Sequence, residues 1–252
     1  MKNEEKYYYA DFTRQNYREI IRLAKRNYLF RTYDNFQQNE KFILWRHDVD
    51  YTMHSARKLA YIESEEGVIS TFFLHLHNEY YNLLEKEISD CVYEIIGLGH
   101  RIGLHFDTEY YHLESPNQLE KPLLREKHIL QDFFGQDINV FSFHNPSKAF
   151  LEWGNWECAG LVNTYSSYFW KNVEYCSDSN GYWRYKRLPD LLNKADAPCL
   201  QVLTHPVWWQ DEVSSPRQRI QRCIDGRAEK NSIQYDKLLE YLGHRNIGKE
   251  EM

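Results

Sequence analysis

The residues of this sequence that are best suited to chemistry follow directly after an apolar segment. Residues 42–45 (Phe-Ile-Leu-Trp) run into Arg46, His47, Asp48 and, one residue later, Asp50. A buried segment excludes such groups unless they are paired or bind a ligand. Side chains alternate between the two faces of a strand, so Asp48 and Asp50 are expected on one face. Two carboxylates on one face predict a bound cation or a carboxyl group with a raised pKa.

Four later segments end in the same kind of residue. They close with His75 and His77, with His105 and Asp107, with His144, and with His205. Ligands and chemistry in parallel α/β folds gather at the carboxyl ends of the strands, so these groups are expected to share a site. Carboxylate and neutral imidazole together form a common ligand set for zinc, and an open position on the metal would activate water. For His75 and His77, however, we expect a structural role.

Apolar segments alternate with amphipathic ones along the chain. Apolar faces predict helices over residues 17–28, 54–67, 82–100 and 118–135, and apolar runs predict strands over 41–45, 68–76, 101–106, 138–144, 161–167 and 199–205. Such alternation predicts parallel strands with helices outside, either as a barrel or as an open doubly wound sheet. No Gly/Ser-rich or Pro-rich linker divides the chain, so residues 1–252 are expected to form a single domain.

Composition excludes several functional classes. The 252 residues carry a net charge of −6 without a long basic run, which argues against a nucleic-acid-binding protein. The first residues lack the apolar core of a secretory signal, and no stretch approaches the roughly 18 apolar residues of a membrane span. We therefore expect a cytoplasmic protein. Its five scattered cysteines are expected to be reduced. The oligomeric state stays open.

The order of the motifs RHDVD, GHRIGLH, SFHNP and LTHP resembles that of the polysaccharide deacetylases with the NodB-homology fold. The closer likeness is to a divergent branch that is encoded with bacterial surface-glycan biosynthesis. The resemblance covers about residues 40–210. It implies a distorted (β/α) barrel of about seven parallel strands, fewer than the eight of a TIM barrel, with helical extensions at both ends.

The resemblance also implies roles for individual residues. Asp48 corresponds to the catalytic base and Asp50 to a metal ligand, and His205 corresponds to the general acid. His105 matches the first of two metal-binding histidines in the family, whereas the second position is occupied by Glu109. His144 is the expected third metal ligand, and the alternatives are Glu109, Asp107 and His112.

Family deacetylases place an arginine and an aspartate near the base. The matching candidates in this sequence are Arg46, Asp178 and Arg184, although the stretch SDSNG that contains Asp178 is equally typical of a simple turn. Trp208 is a candidate for stacking against a sugar, or for packing against a helix.

The sequence therefore predicts a hydrolase, dependent on a divalent metal such as zinc, that removes an N-acetyl or related acyl group from a sugar or glycan precursor. One alternative is a metal-dependent amidohydrolase that acts on a small ureide or cyclic amide. A second is a non-catalytic glycan-binding or assembly protein on the same fold. Bound metal would distinguish a catalyst from a binding protein.

Overall fold

A computed structural model describes residues 2–249 and contains a mixed α/β fold. Its strands, in chain order, are β1 (Leu29–Arg31), β2 (Phe42–Val49), β3 (Thr71–Leu74), β4 (Arg101–Asp107), β5 (Val140–His144), β6 (Glu157–Cys158), β7 (Leu161–Asn163), β8 (Glu174–Ser177) and β9 (Cys199–Thr204). All of them join one sheet.

Along the chain, helices precede β1, separate many of the later strands and follow β9. They are α1 (Asn3–Lys6), α2 (Arg14–Lys25), α3 (Met53–Glu65), α4 (Lys86–Gly97), α5 (Glu120–Phe134), α6 (Lys148–Leu151), α7 (Ser167–Asn172), α8 (Leu188–Lys194) and α9 (Pro216–Tyr241). No helix within residues 2–249 is both long enough and apolar enough to cross a membrane.

The sheet is curled and mostly parallel. Its strands follow the order β6-β7-β5-β4-β3-β2-β9-β8, with β1 paired to β2 beside this path. From β7 to β8 every neighbouring pair is parallel, and only β6 runs antiparallel to β7. The predicted distorted barrel of about seven parallel strands is thus confirmed. The edge strands of this path are β6 and β8, and in the described part of the chain no ladder joins them, so the barrel is open between these two strands.

Strand β2 is the centre of the fold, and all eight of its residues are buried. Phe42 and Leu44 point into the barrel, where they join an apolar cluster with Phe73 and Val140. The alternate residues, including Trp45, pack outward against α2 and α3 in a second cluster. Because β2 is buried on both faces, its first four residues, 42–45, are all apolar, and the charged and polar residues begin at Arg46.

Several polar residues gather where the strands leave this apolar interior. The interior face of β2 continues from Leu44 to Arg46, Asp48 and the following Asp50, all toward the carboxyl end of the sheet. Because neighbouring strands are parallel, their carboxyl ends meet at the same edge. The fold therefore places the polar ends of β2, β3, β4, β5 and β9 around one opening.

Candidate functional site

Three side chains converge at the carboxyl end of the sheet. Asp50 Oδ1 lies 3.0 Å from His105 Nε2 and 3.5 Å from His144 Nδ1, and the two imidazole nitrogens lie 3.2 Å apart. Within residues 2–249 this is the only group of potential metal ligands whose donor atoms all lie within 4.8 Å of one another. One carboxylate and two imidazoles at this spacing can hold a divalent cation and leave positions for water or substrate.

Asp50 presents a buried carboxylate oxygen to the two imidazoles. Its Oδ1 is buried and accepts no hydrogen bond from the protein. Burial alone would raise the pKa of Asp50, but the adjacent imidazoles of His105 and His144 hold it well below its usual range. An ionised, buried oxygen without a hydrogen-bond donor fits a metal ligand.

Ser142 on β5 fixes the tautomer of His105. The Ser142 hydroxyl donates to Asp48 Oδ1 over 3.4 Å, because a carboxylate can only accept. It is therefore free to accept the Nδ1–H of His105 at 2.7 Å. This leaves the lone pair of His105 on Nε2, which faces Asp50. Sequence reasoning missed Ser142, although its spacing of two from His144 places both on one face of a strand.

Asp48 lies beside the cluster and is held by a buried arginine. Arg46 Nη2 donates to Asp48 Oδ2 over 3.2 Å and to the Tyr165 hydroxyl over 3.2 Å, while Nη1 donates to Thr164. The guanidinium also lies 5.5 Å from the centre of the Phe73 ring. Arg46 thus holds the Asp48 carboxylate in a fixed orientation.

His205 approaches the cluster from the opposite side, with its Nε2 3.6 Å from Asp50 Oδ2. Its Nδ1 donates to Asp178 Oδ1 over 2.7 Å, and its backbone N–H also donates to Asp178. Trp209 Nε1 donates to the other oxygen, Asp178 Oδ2, over 2.9 Å. Burial opposes charging of the imidazole, but the hydrogen bond and charge of Asp178, with smaller contributions from Asp50 and Asp48, raise the pKa of His205 to about 9.

Several residues proposed from the sequence lie elsewhere. Arg184 is exposed and lies over its neighbour Tyr185, so the structure does not bring it to the cluster. Trp208 is buried in the helix-facing core, with its ring 5.7 Å from that of Tyr51, so it does not form an open stacking wall. Glu109 and His112 are both exposed and stand outside the three-ligand group.

A cavity of about 500 Å³ opens beside the cluster. Its wall includes Asp50 and His144 from the cluster, the neighbouring side chains His75 and Asp107, and the aromatic residues Tyr51, Tyr80 and Tyr110. His75, for which the sequence predicted a structural role, is therefore part of the site. The spacing of two between Phe73 and His75 could have indicated this, because it places both on the interior face of β3.

The chain matches no protein-family profile and no curated protein. Among solved structures it is similar to a CE4 family pseudoenzyme from Bacillus anthracis, with 17% identity and a TM-score of 0.42 over 77% of this chain and 63% of the other. A family 4 carbohydrate esterase from the same organism has 16% identity and a TM-score of 0.43, over 83% of this chain and 85% of the other. A chitin deacetylase from Colletotrichum lindemuthianum has 14% identity and a TM-score of 0.40, over 73% and 81%.

The chain thus spans less than two thirds of the pseudoenzyme's length. The family predicted from the motif order, the NodB-type polysaccharide deacetylases, is also the family of these solved structures. At this level of similarity these structures do not indicate the activity of this chain.

Proposed function

We propose that this protein is a metal-dependent hydrolase that removes an N-acetyl or related acyl group from a sugar or glycan precursor. The observation that carries the proposal is the convergence of Asp50, His105 and His144, with a second carboxylate on one side and an imidazole on the other. These are the parts needed to bind a Lewis acid, remove a proton from water and protonate a leaving amine.

The donor set fits a divalent cation, and zinc is the one we expect. Asp50 Oδ1, His105 Nε2 and His144 Nδ1 would hold it, since one carboxylate and two imidazoles suit zinc better than magnesium or calcium. When bound, the cation would polarise the acyl carbonyl and lower the pKa of water.

Asp48 would accept the proton of the attacking water. Its Oδ2 lies 3.8 Å from His105 Nδ1, so the carboxylate adjoins the metal ligands without being one of them. The Arg46 guanidinium and the Ser142 hydroxyl each hold one of its oxygens, which fixes the carboxylate for proton transfer.

His205 would donate a proton to the departing amine from Nε2, the nitrogen that faces the cluster. Because Asp178 accepts the Nδ1–H, the ring stays correctly turned and the imidazolium is stabilised. Asp178 is a positioning residue in this scheme, and it acts through His205.

Release of acetate from N-acetylated sugars tests the proposal. Zinc-loaded wild-type protein should release acetate from at least one member of a panel of N-acetylated nucleotide sugars, N-acetylhexosamines and their oligomers. Asp48→Asn and His205→Asn should each lower kcat by about 10²-fold or more while retaining the metal. His128→Asn, at an exposed position on α5, is the matched control and should retain full activity. Full turnover by the His205 variant would remove its role as the acid.

The same panel separates the alternatives. A ureide or cyclic-amide hydrolase would release no acetate from any of these sugars but would hydrolyse small cyclic amides. A non-catalytic glycan-binding protein would bind members of the panel without consuming them. Either result would contradict the proposed deacetylation.

A further inference from the structure

His75 carries an unpaired nitrogen in the wall of the cavity. The residue is 5% exposed, and its Nε2 has no hydrogen-bond partner in the described part of the chain. Its ring centre lies only 4.6 Å from that of His144. A buried polar atom without a partner is costly, so one in a side chain that lines a cavity points to a ligand.

Asn78 determines which nitrogen of His75 carries the hydrogen. The side-chain oxygen of Asn78 accepts the backbone N–H groups of Tyr80 and Tyr81, at 2.8 and 3.1 Å. The Asn78 amide nitrogen therefore faces the other way, where it donates to the Asp50 carbonyl at 2.7 Å and to His75 Nδ1 at 3.4 Å. Since Nδ1 must accept, the hydrogen of His75 is on Nε2, which is a donor.

Asp107 supplies an acceptor opposite this donor. Its Oδ1 is used by the loop that follows β4, because it accepts the backbone N–H groups of Glu109 and Tyr110 at 2.8 and 3.3 Å. Its Oδ2 lies 3.7 Å from His75 Nε2, which is too far for a hydrogen bond between them. Both side chains line the same cavity. The donor His75 Nε2 and the acceptor Asp107 Oδ2 are thus neighbours that do not hydrogen-bond to each other.

We propose that His75 Nε2 and Asp107 Oδ2 form a subsite for one hydroxyl group of the substrate. A hydroxyl group can accept from the first and donate to the second at the same time, which no amide N–H or carbonyl can do. This inference rests on the proposed function, and it names the substrate class more narrowly. The acylated molecule carries a free hydroxyl close to its acylamino group, as a sugar does and a ureide or cyclic amide does not.

The aromatic side of the cavity suits the same kind of molecule. Tyr110 is stacked on His77, with ring centres 3.4 Å apart and planes 7° from parallel. His77 Nε2 is in turn held 3.0 Å from the buried carboxylate of Glu126. The half-exposed Tyr110 ring is therefore fixed as a flat apolar surface, against which the C–H face of a sugar ring can pack.

Binding of modified sugars tests the subsite without relying on turnover. The probes are the methyl glycoside of N-acetylglucosamine and its monodeoxy and monofluoro analogues at each free hydroxyl. Dissociation constants would be measured by calorimetry on zinc-loaded protein that carries Asp48→Asn, so that the probe is not consumed. At one ring position, loss of the hydroxyl should weaken binding about tenfold or more, because Asp107 and His75 are then left unpaired. Replacement of the same hydroxyl by fluorine, which cannot donate a hydrogen bond, should also weaken binding.

Two variants and a control make the assignment specific. Asp107→Asn keeps an oxygen that accepts the backbone N–H groups of the loop but replaces Oδ2 by an amide group that donates. Because the subsite then no longer requires a donor on the ligand, the preference for hydroxyl over fluorine should shrink about tenfold. His75→Phe, which keeps a flat ring but has no donor, should abolish the preference for hydroxyl over hydrogen. His128→Phe, on the exposed face of α5, should change neither preference.

Four results would overturn the subsite. In the first, wild type and both variants distinguish hydroxyl from hydrogen and fluorine equally at every ring position, and in the second no probe binds measurably. In the third, His128→Phe also loses the preference for the hydroxyl group. In the fourth, the protein binds a second equivalent of zinc that disappears in His75→Phe. Failure of the proposed function looks different. In that case the hydroxyl preference would hold, while protein with Asp48 intact releases no acetate.

Discussion

At the scale of single residues, three of the active side chains have a partner that orients them. Asp178 accepts the Nδ1–H of His205, Ser142 accepts the Nδ1–H of His105, and Arg46 donates to Asp48 Oδ2. These partners determine whether a nitrogen is a donor, an acceptor or a ligand. Asp178, for which the sequence allowed a simple turn, is fully buried and accepts hydrogen bonds from His205 and Trp209.

The partnership of Asp178 and His205 predicts a dependence of stability on pH. Because the pKa of His205 is raised to about 9, from an ordinary value near 6.5, the protonated ring stabilises the folded state. That stability is fully present below pH 6.5 and is lost as the pH rises through about 9. In metal-free protein the loss should be on the order of 3 kcal/mol of unfolding free energy.

Asp178→Asn should remove most of this pH dependence, because a neutral amide no longer favours the imidazolium. The measurement is the free energy of unfolding in urea at intervals between pH 6 and 10, for wild type and variant. In active enzyme, the alkaline decline of kcat/KM should also begin at lower pH in the variant. Parallel pH curves for the two proteins would show that Asp178 does not control the charge of His205.

Ser142 should matter for metal affinity more than for folding. Ser142→Ala removes the acceptor of the His105 Nδ1–H, so the ring is free to adopt the wrong tautomer or rotate. We expect zinc affinity to fall about 10–100-fold, as measured by competition with a chelating dye. Ser89→Ala is the matched control, because Ser89 is buried in α4 and donates only to the Lys86 carbonyl. An unchanged zinc affinity in Ser142→Ala would contradict this role.

At the scale of elements, segments with a continuous apolar face were predictable, and short strands with polar or exposed residues were not. Strands β2, β4 and β5 and helices α2 to α5 appear where their periodicity predicts them, because each buries a continuous face. Strands β1, β6 and β8 were missed. All three are short and carry polar or exposed residues, so only their pairing with β2, β7 and β9 defines them. The position of His75 in the cavity wall was not predicted, although its spacing of two from Phe73 indicates the same face.

Gly103 on β4 shows how tightly the strands pack inside the barrel. A Cβ atom at this position would lie 2.7 Å from the Phe73 ring and 3.0 Å from Val140. Gly103→Ala should therefore destabilise the protein by about 1–3 kcal/mol in urea unfolding. Gly97→Ala is the control: it lies at the end of α4, a Cβ there would meet nothing within 4 Å, and stability should not fall. Equal effects would show that the interior is looser than described.

At the scale of the whole molecule, the site is assembled from strands that are not all neighbours in the sheet. Asp50 follows β2, His105 lies on β4 and His144 on β5, and β3 stands between β2 and β4. In a flat sheet β2 and β4 would be roughly 10 Å apart, yet Asp50 and His105 approach to 3.0 Å. The sequence predicts His144 as the third ligand, and the structure places its Nδ1 3.5 Å from Asp50 Oδ1 while Glu109 lies exposed.

Metal binding tests the central claim most directly. Wild-type protein should bind one equivalent of zinc by calorimetry and elemental analysis, while Asp50→Ala, His105→Ala and His144→Ala should each lose it and Glu109→Ala should retain it. The His128→Asn control should also bind one equivalent. A zinc content that is unchanged in both Asp50→Ala and His105→Ala would contradict the site described here.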